Sequence, residues 1–282
     1  MALLDPITIT FTRSDNETKS FSGRPSNSEP FGITELIGFE FPEVEVFTQP
    51  RGLGDGVFFT GQRLNGRTVE IHLKQNERYP QDFFDGWNAL KSFFNPTFTF
   101  QIQVDNSTSG SVVTRYLNDC RLLAAQYQLV NASEPNPELI VQMMAPSAMF
   151  EASLKSDTIA YTDGVPTVYT YPGEARTEPY LNFTCLTTDG SAYFDVTMNG
   201  ATARLDVGQA LQVGDLVSID PQRGTYSLNA GVPFLIDATQ AAAVYENWWL
   251  IPGTGQNTFT IQSAAGATFE FGVSFFPEYL GI

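Results

Sequence analysis

ELIGFEFPEVEVFTQPRGLGDGVFFTGQRLNGRTVEIHL, residues 35–73, carries the pattern that decides the fold. At its C-terminal end Val69, Ile71 and Leu73 alternate with Thr68, Glu70, His72 and Lys74. A period of two places the apolar set on one face of a half-buried strand. Asn65-Gly66 just before it predicts a tight hairpin with positive φ angles. Working outward, the same alternation recurs in Ile7, Ile9 and Phe11, in Phe98, Phe100, Ile102 and Val104, and in Leu139, Val141 and Met143. It returns in Phe194, Val196 and Met198 and in Phe269, Phe271, Val273 and Phe275. Asp189-Gly190 and Asn199-Gly200 supply two further hairpin signals. The chain reads as mainly β.

One segment departs from this period. In YPQDFFDGWNALKSFFNP (79–96), Phe83, Trp87, Leu90 and Phe94 form a single helical stripe. Pro80 suits its start, Lys91 its negative end, and Pro96 stops it. The second part of the chain predicts no helix, Thr239 to Val244 being Ala-rich but short. The polar segment 153–179, with three prolines and weak strand signals around Tyr169, is read as the join between two domains, 1–152 and 153–282.

Composition narrows the function. The chain has 282 residues, 42% hydrophobic and 13% aromatic, ample for packed cores. Fifteen basic against 31 acidic residues give a net charge of −16. No cation surplus exists to displace counterions, so specific nucleic-acid binding is not expected. Residues 151–282 hold only four basic residues, Lys155, Arg176, Arg204 and Arg223, against 14 acidic ones. A single His excludes a His-based metal cage. Cys120 and Cys185 are in no metal spacing and allow at most one disulfide. No metal, cofactor or catalytic residue is expected. The start, MALLDPITITFTR, has no signal-peptide pattern, and no apolar run is long enough to span a membrane.

Three local features compete for function. GLGDG (52–56) lacks the Lys-Ser/Thr of a phosphate loop and leads into a strand rather than a helix. It reads as a mobile connection or as an assembly loop that orders on a partner, with Arg51, Gly52, Gly54, Asp55 and Gly56 as subunit-contact candidates. Glu40, Glu43 and Glu45 crowd one predicted strand with no basic residue between Arg24 and Arg51. Trp248 and Trp249 lie in YENWWLI (245–251), read as a strand, where one ring would enter the core and the other, with Tyr245, could stack on a sugar. His72, between Glu70 and Lys74, reads as a surface residue.

Residues 35–73, with Gly66-Arg67-Thr68-Val69-Glu70-Ile71 in the hairpin, resemble the opening of siphophage distal tail proteins. The helix DFFDGWNALKSFFN, the strand TFTFQIQV and the pair RYLNDCRLLAAQYQLV and ELIVQMMAPSAMFEA follow in that family's order. EPYLNFTC, LQVGDLVSIDPQRGTYSLN and WWLIPGTGQNTFTIQS are similar to its galectin-like domain. Two places depart from the pattern: Ala145-Pro146 stands for Asp-Pro, and the Pro-Gly-Asn turn is lengthened to Pro252 through Asn257. The resemblance implies a split β-barrel-like domain with one helix, then a galectin-like β-sandwich. It implies a structural virion protein, not an enzyme: a homo-hexameric hub between the tail tube protein and the tail-associated hub protein at the phage tail tip. The outer sandwich would meet a receptor-binding protein or a host glycan. Glu40, Glu43 and Glu45 would line the bore and repel DNA, or else form a solvated outer edge. The alternative function is a carbohydrate-binding sandwich acting through Tyr245, Trp248 or Trp249.

Overall fold

The computed structural model describes residues 7–23, 31–50, 57–75, 80–108, 111–128, 138–188, 190–221, 223–236, 238–263 and 266–282. These fall into two compact units, residues 1–152 with 279–282, and residues 153–278.

In the first unit the chain runs β1 (Ile7–Arg13), β2 (Thr18–Ser22), β3 (Phe31–Ile37), β4 (Val44–Pro50), β5 (Val57–Leu64) and β6 (Arg67–Gln75). Helix α1 (Pro80–Phe93) follows, then β7 (Thr99–Thr108), β8 (Ser111–Gln128), β9 (Glu138–Ala145) and β10 (Phe150–Glu151). Seven strands close on themselves in the order β8-β7-β1-β2-β3-β6-β9, because β9 pairs back onto β8. The 18-residue β8 makes closure possible. Its first part pairs with β7 and its last part with β9, and Arg121 faces Thr99 across one edge and Met144 across the other. Asp119, at φ 55°, lies at the register irregularity in the β7 pairing, two residues before that junction.

The alternating residues fill this barrel: Ile9, Phe11, Val69, Ile71, Leu73, Phe100, Ile102, Val104, Leu139, Val141 and Met143 are all buried. Burying one such side chain contributes about 1.5–3 kcal/mol. Helix α1 closes the core with Leu90, Phe93 and, just past its end, Phe94. Phe94 meets the ring of Phe11 edge-on at 5.2 Å. Trp87 is half-buried against the same core, and the Phe83 side chain lies outside the described residues. Arg13 donates to the carbonyls of Ser92 (3.3 Å) and Phe93 (3.4 Å), satisfying the last turn of the helix.

The Asn65-Gly66 expectation fails in detail. Neither residue has a positive φ. Gly66 is needed for clearance instead: a Cβ there would stand 2.8 Å from the carbonyl oxygen of Ala145. Asn199 (φ 50°) and Gly200 (φ 86°) do form the expected left-handed pair.

The second unit is a sandwich. Its strands are β11 (Lys155–Ile159), β12 (Thr167–Tyr171), β13 (Tyr180–Thr187), β14 (Tyr193–Met198), β15 (Ala201–Asp206), β16 (Leu216–Asp220), β17 (Thr225–Leu228) and β18 (Phe234–Leu235). Helix α2 (Ala238–Asn247) precedes β19 (Gly253–Ser263) and β20 (Thr268–Phe275). One sheet has the order β11-β20-β13-β16-β17-β18, the other β12-β19-β14-β15. Phe183 stacks on Phe271 at 4.8 Å, and Phe194 and Phe269 lie 4.6 Å apart in the core between them.

Three expectations are corrected here. Segment 153–179 is more than a join: the strand signal around Tyr169 falls in β12, and β11 is added to it, one strand to each sheet. The Ala-rich segment is a helix, because it packs on β15, where Gln240 accepts from the Arg204 backbone N–H at 2.8 Å. Tertiary support of that kind sustains helices too short to stand alone. Residues 279–282 pack with the first unit, whereas the sequence placed them in the second domain; a last short strand, β21 (Glu278–Tyr279), lies at this return. Both cysteines are free and buried.

Candidate functional site

The strands β4 and β5 form a two-stranded ribbon that pairs with no other strand among the described residues. Residues 51–56 connect them, so Arg51, Gly52, Gly54, Asp55 and Gly56 belong to a segment outside the described residues. The ribbon itself is informative. Val44, Val46 and Leu64 share one face and are 45%, 53% and 39% exposed. On the other face Arg63 pairs with Glu45 at 2.7 Å and lies 5.5 Å from the Phe47 ring centre. An isolated ribbon is marginally stable in water, and these three apolar side chains are exposed rather than packed.

Glu40, Glu43 and Glu45 do not share one strand. Glu40 and Glu43 are exposed in the connection between β3 and β4, and Glu45, on β4, is neutralised by Arg63. The backbone at Glu40 is fixed from below by Arg67. This buried guanidinium donates to the carbonyls of Gly38 (2.9 Å), Glu40 (2.6 Å), Ala148 (3.0 and 2.8 Å) and Leu280 (2.6 Å). It also lies over the Phe150 ring at 4.6 Å. Burial pulls its pKa down to about 10, against the opposing field of Glu40.

His72 is not a surface residue: it is 9% exposed. It points outward from β6, but long side chains from both neighbouring strands cover it. Its Nε2 is 2.6 Å from Glu70, and its Nδ1 is 3.4 Å from Glu138 and 3.7 Å from Glu35. Thr34 donates to Glu138 at 2.6 Å, and Gln142 donates to Glu70. Burial pushes the imidazole pKa down, but Glu70 and Glu138 outweigh it and hold it above the ordinary value. Gln142 and His72 in turn hold the Glu70 carboxyl below its ordinary value. The cluster braces β3, β6 and β9 from outside.

The tryptophan pair is resolved by α2, which ends at Asn247. Trp248 is 1% exposed and donates its indole N–H to the Ala201 carbonyl at 3.0 Å, so it belongs to the core and offers no platform. Trp249 is half-buried, with the Arg176 guanidinium 4.5 Å over its ring. Tyr245 lies within α2 rather than on a strand, and its side chain is outside the described residues. The lengthened turn before Asn257 is closed by that residue. Fully buried, Asn257 accepts from Ile251 N–H (2.7 Å) and donates to the Ile251 (2.9 Å) and Tyr169 (3.3 Å) carbonyls. Among the described residues, no group of three or more His, Cys, Asp or Glu side chains is placed so that it could hold a metal ion.

The fold is shared with a phage hub protein. SPP1 Dit, described as a paradigm of the hub adsorption apparatus in phages that infect Gram-positive bacteria, matches with a TM-score of 0.64 at 14% identity. The match covers 96% of this chain and 99% of Dit, so both units are included. Chains of the phage P2 baseplate in its activated conformation, with Ca and with Sr, give TM-scores of 0.38 and 0.39 at 7% and 8% identity, covering 95% of this chain and 97% of each. Those two scores are too low to carry an argument; of the three, Dit bears on the fold. No protein-family model matches the chain, and no curated protein matches its sequence.

Proposed function

We propose that this chain is a structural component of a phage tail tip, a homo-hexameric hub that joins the end of the tail tube to the host-recognition apparatus. The observation that carries this reading is the match to Dit over nearly all of both chains, barrel and sandwich together. In this reading the sandwich is the galectin-like domain of siphophage distal tail proteins. The tail tube protein and the tail-associated hub protein are the axial partners, and a receptor-binding protein or host glycan is the outer one. The virion tail tip is the location.

The ribbon β4–β5 supports assembly. Its apolar face lacks a partner strand among the described residues, and a second copy would cover it by a heterologous contact of the kind that closes rings. Arg51, Gly52, Gly54, Asp55 and Gly56, which join the two strands, fall in the same contact. Glu40 and Glu43, exposed beside the ribbon, are the carboxylates available to repel DNA in a bore, whereas Glu45 is offset by Arg63. The structural role assigns no catalysis. Negative-stain microscopy and native mass spectrometry test the reading directly: six-fold rings of six chains are expected, and a protein that stays monomeric at high concentration would overturn it.

A further inference from the structure

We infer that Asn65 is a site of spontaneous deamidation, which gives the joint between ribbon and barrel a carboxylate that the sequence does not encode. This goes beyond the assembly role and does not depend on it.

The reaction needs an asparagine, the backbone N–H of the next residue, and water. That backbone nitrogen attacks Cγ of the side-chain amide. A new N–Cγ bond closes a five-membered succinimide, the Cγ–Nδ2 bond breaks, and ammonia leaves with the proton that the backbone nitrogen gave up. Water then opens the ring at either carbonyl. One opening returns aspartate; the other returns isoaspartate, with one more carbon in the main chain. No oxidant or reductant enters. The rate depends on a small following residue, a side-chain amide free to turn, and a backbone nitrogen free of an acceptor. Glycine meets the first condition best, because no Cβ obstructs the approach.

Asn-Gly occurs twice in the chain, at 65–66 and at 199–200. The preceding residues, Leu64 and Met198, are both large and apolar, so the folded surroundings decide between the two sites. Asn199 is pinned. Its Nδ2 donates to the carbonyls of Asn247 (3.1 Å) and Trp249 (2.8 Å), and its Oδ1 accepts from the Thr258 backbone N–H (3.0 Å). Both amide hydrogens are used, and turning Cγ toward Gly200 breaks all three bonds. The pair is also fixed in the tight hairpin between β14 and β15.

Asn65 has none of these restraints. Among the described residues, no hydrogen bond engages its side chain, and the Gly66 N–H donates to no acceptor. The Asn65 backbone N–H makes one long bond, 3.4 Å, to the Glu43 carbonyl. Both residues lie between β5 and β6 rather than in either strand, and both are half-buried, within reach of water.

The position gives the change its effect. The new negative charge stands at the foot of the ribbon, next to the Glu43 segment, while Arg63 is already engaged by Glu45. Isoaspartate also lengthens the main chain where Gly66 fits closely against the Ala145 carbonyl. The added carbon falls directly before Arg67, whose guanidinium ties Gly38, Ala148 and Leu280 together.

The test ages the full chain in mildly alkaline buffer over weeks, with a parallel sample in concentrated guanidinium chloride. Both are digested at acid pH, where the ring forms and opens slowly, and the peptides are read by mass spectrometry. Isoaspartyl methyltransferase labels the isoaspartate. In the folded chain Asn65 is expected to convert at least tenfold faster than Asn199, with isoaspartate among the products. In the unfolded chain the two rates should lie within threefold of each other. N65Q, whose longer side chain closes no five-membered ring, should lose the labelling at this position and leave Asn199 unchanged. Asn65 still intact when Asn199 has converted, equal rates in the folded chain, or a tenfold gap that persists on unfolding would each overturn the inference. Ring formation by the assembled protein is read separately and decides none of these outcomes.

Discussion

The Arg67 guanidinium donates to the Leu280 carbonyl at 2.6 Å across 213 positions of sequence. With its bonds to Gly38, Glu40 and Ala148, one side chain holds three separate loops without any carboxylate partner. Losing it leaves several carbonyls unsatisfied and partly buried. R67M is therefore expected to cost about 3 kcal/mol or more, and R67K, with a rounder and shorter donor, to recover only part of it. Urea denaturation measures both; equal stability of R67M and wild type would remove Arg67 from this role.

The carboxylates around His72 make a pH-dependent contribution whose sign is fixed. The folded His72 pKa is raised, so its stabilisation is complete below the unfolded value of about 6.5 and fades as pH rises through the folded one. Glu70 runs the other way: its folded pKa is lowered, so its stabilisation is present above about pH 4.3 and is lost as pH falls through the folded value. H72Q should thus cost most at about pH 5–6.5 and least above about pH 8. Urea midpoints across that range are the measurement, and a cost independent of pH would contradict the assignment.

Two adjacent tryptophans should behave differently. W248A empties a fully buried site and breaks the bond to Ala201, with an expected loss of about 3–5 kcal/mol. W249A removes a half-buried ring and its contact with Arg176, with an expected loss of about 1 kcal/mol. Thermal unfolding of the two variants separates them.

Replacing Val44 and Val46 together with Glu puts two charges on the exposed face of the ribbon. Neither residue is in the core, so the melting temperature of the monomer should hardly change. Ring formation should be lost, because an interface core tolerates unpaired charge poorly. Native mass spectrometry reads the outcome, and intact rings would move the interface elsewhere.

Much of the architecture was legible because both cores are built from sheets with one wet face. Val69, Ile71 and Leu73 announced their burial by parity alone. The same parity held an unused signal: Arg67 falls on the inward register of that run, and a guanidinium placed there must find buried acceptors. The closing pair β8–β9 was hidden, since nothing local in Tyr127 tells it to face Leu139. His72 was misjudged because exposure was inferred from its own strand, while Glu35 and Glu138 reach over it from β3 and β9. Trp248 was placed on a strand because the helix before it depends on packing against β15.

The path of the chain adds one consequence. It passes from the first unit to the second between residues 152 and 153 and comes back between 278 and 279. The sandwich is therefore an insertion moored at both ends. A cut at the 278–279 crossing leaves the sandwich joined to the first unit through 152–153, whereas a cut at 152–153 leaves it joined only to residues 279–282, which the first unit grips by contacts such as the Arg67 bond to Leu280. A subunit cut once at a crossing therefore keeps its sandwich by the backbone in the first case and by the grip on its last four residues in the second.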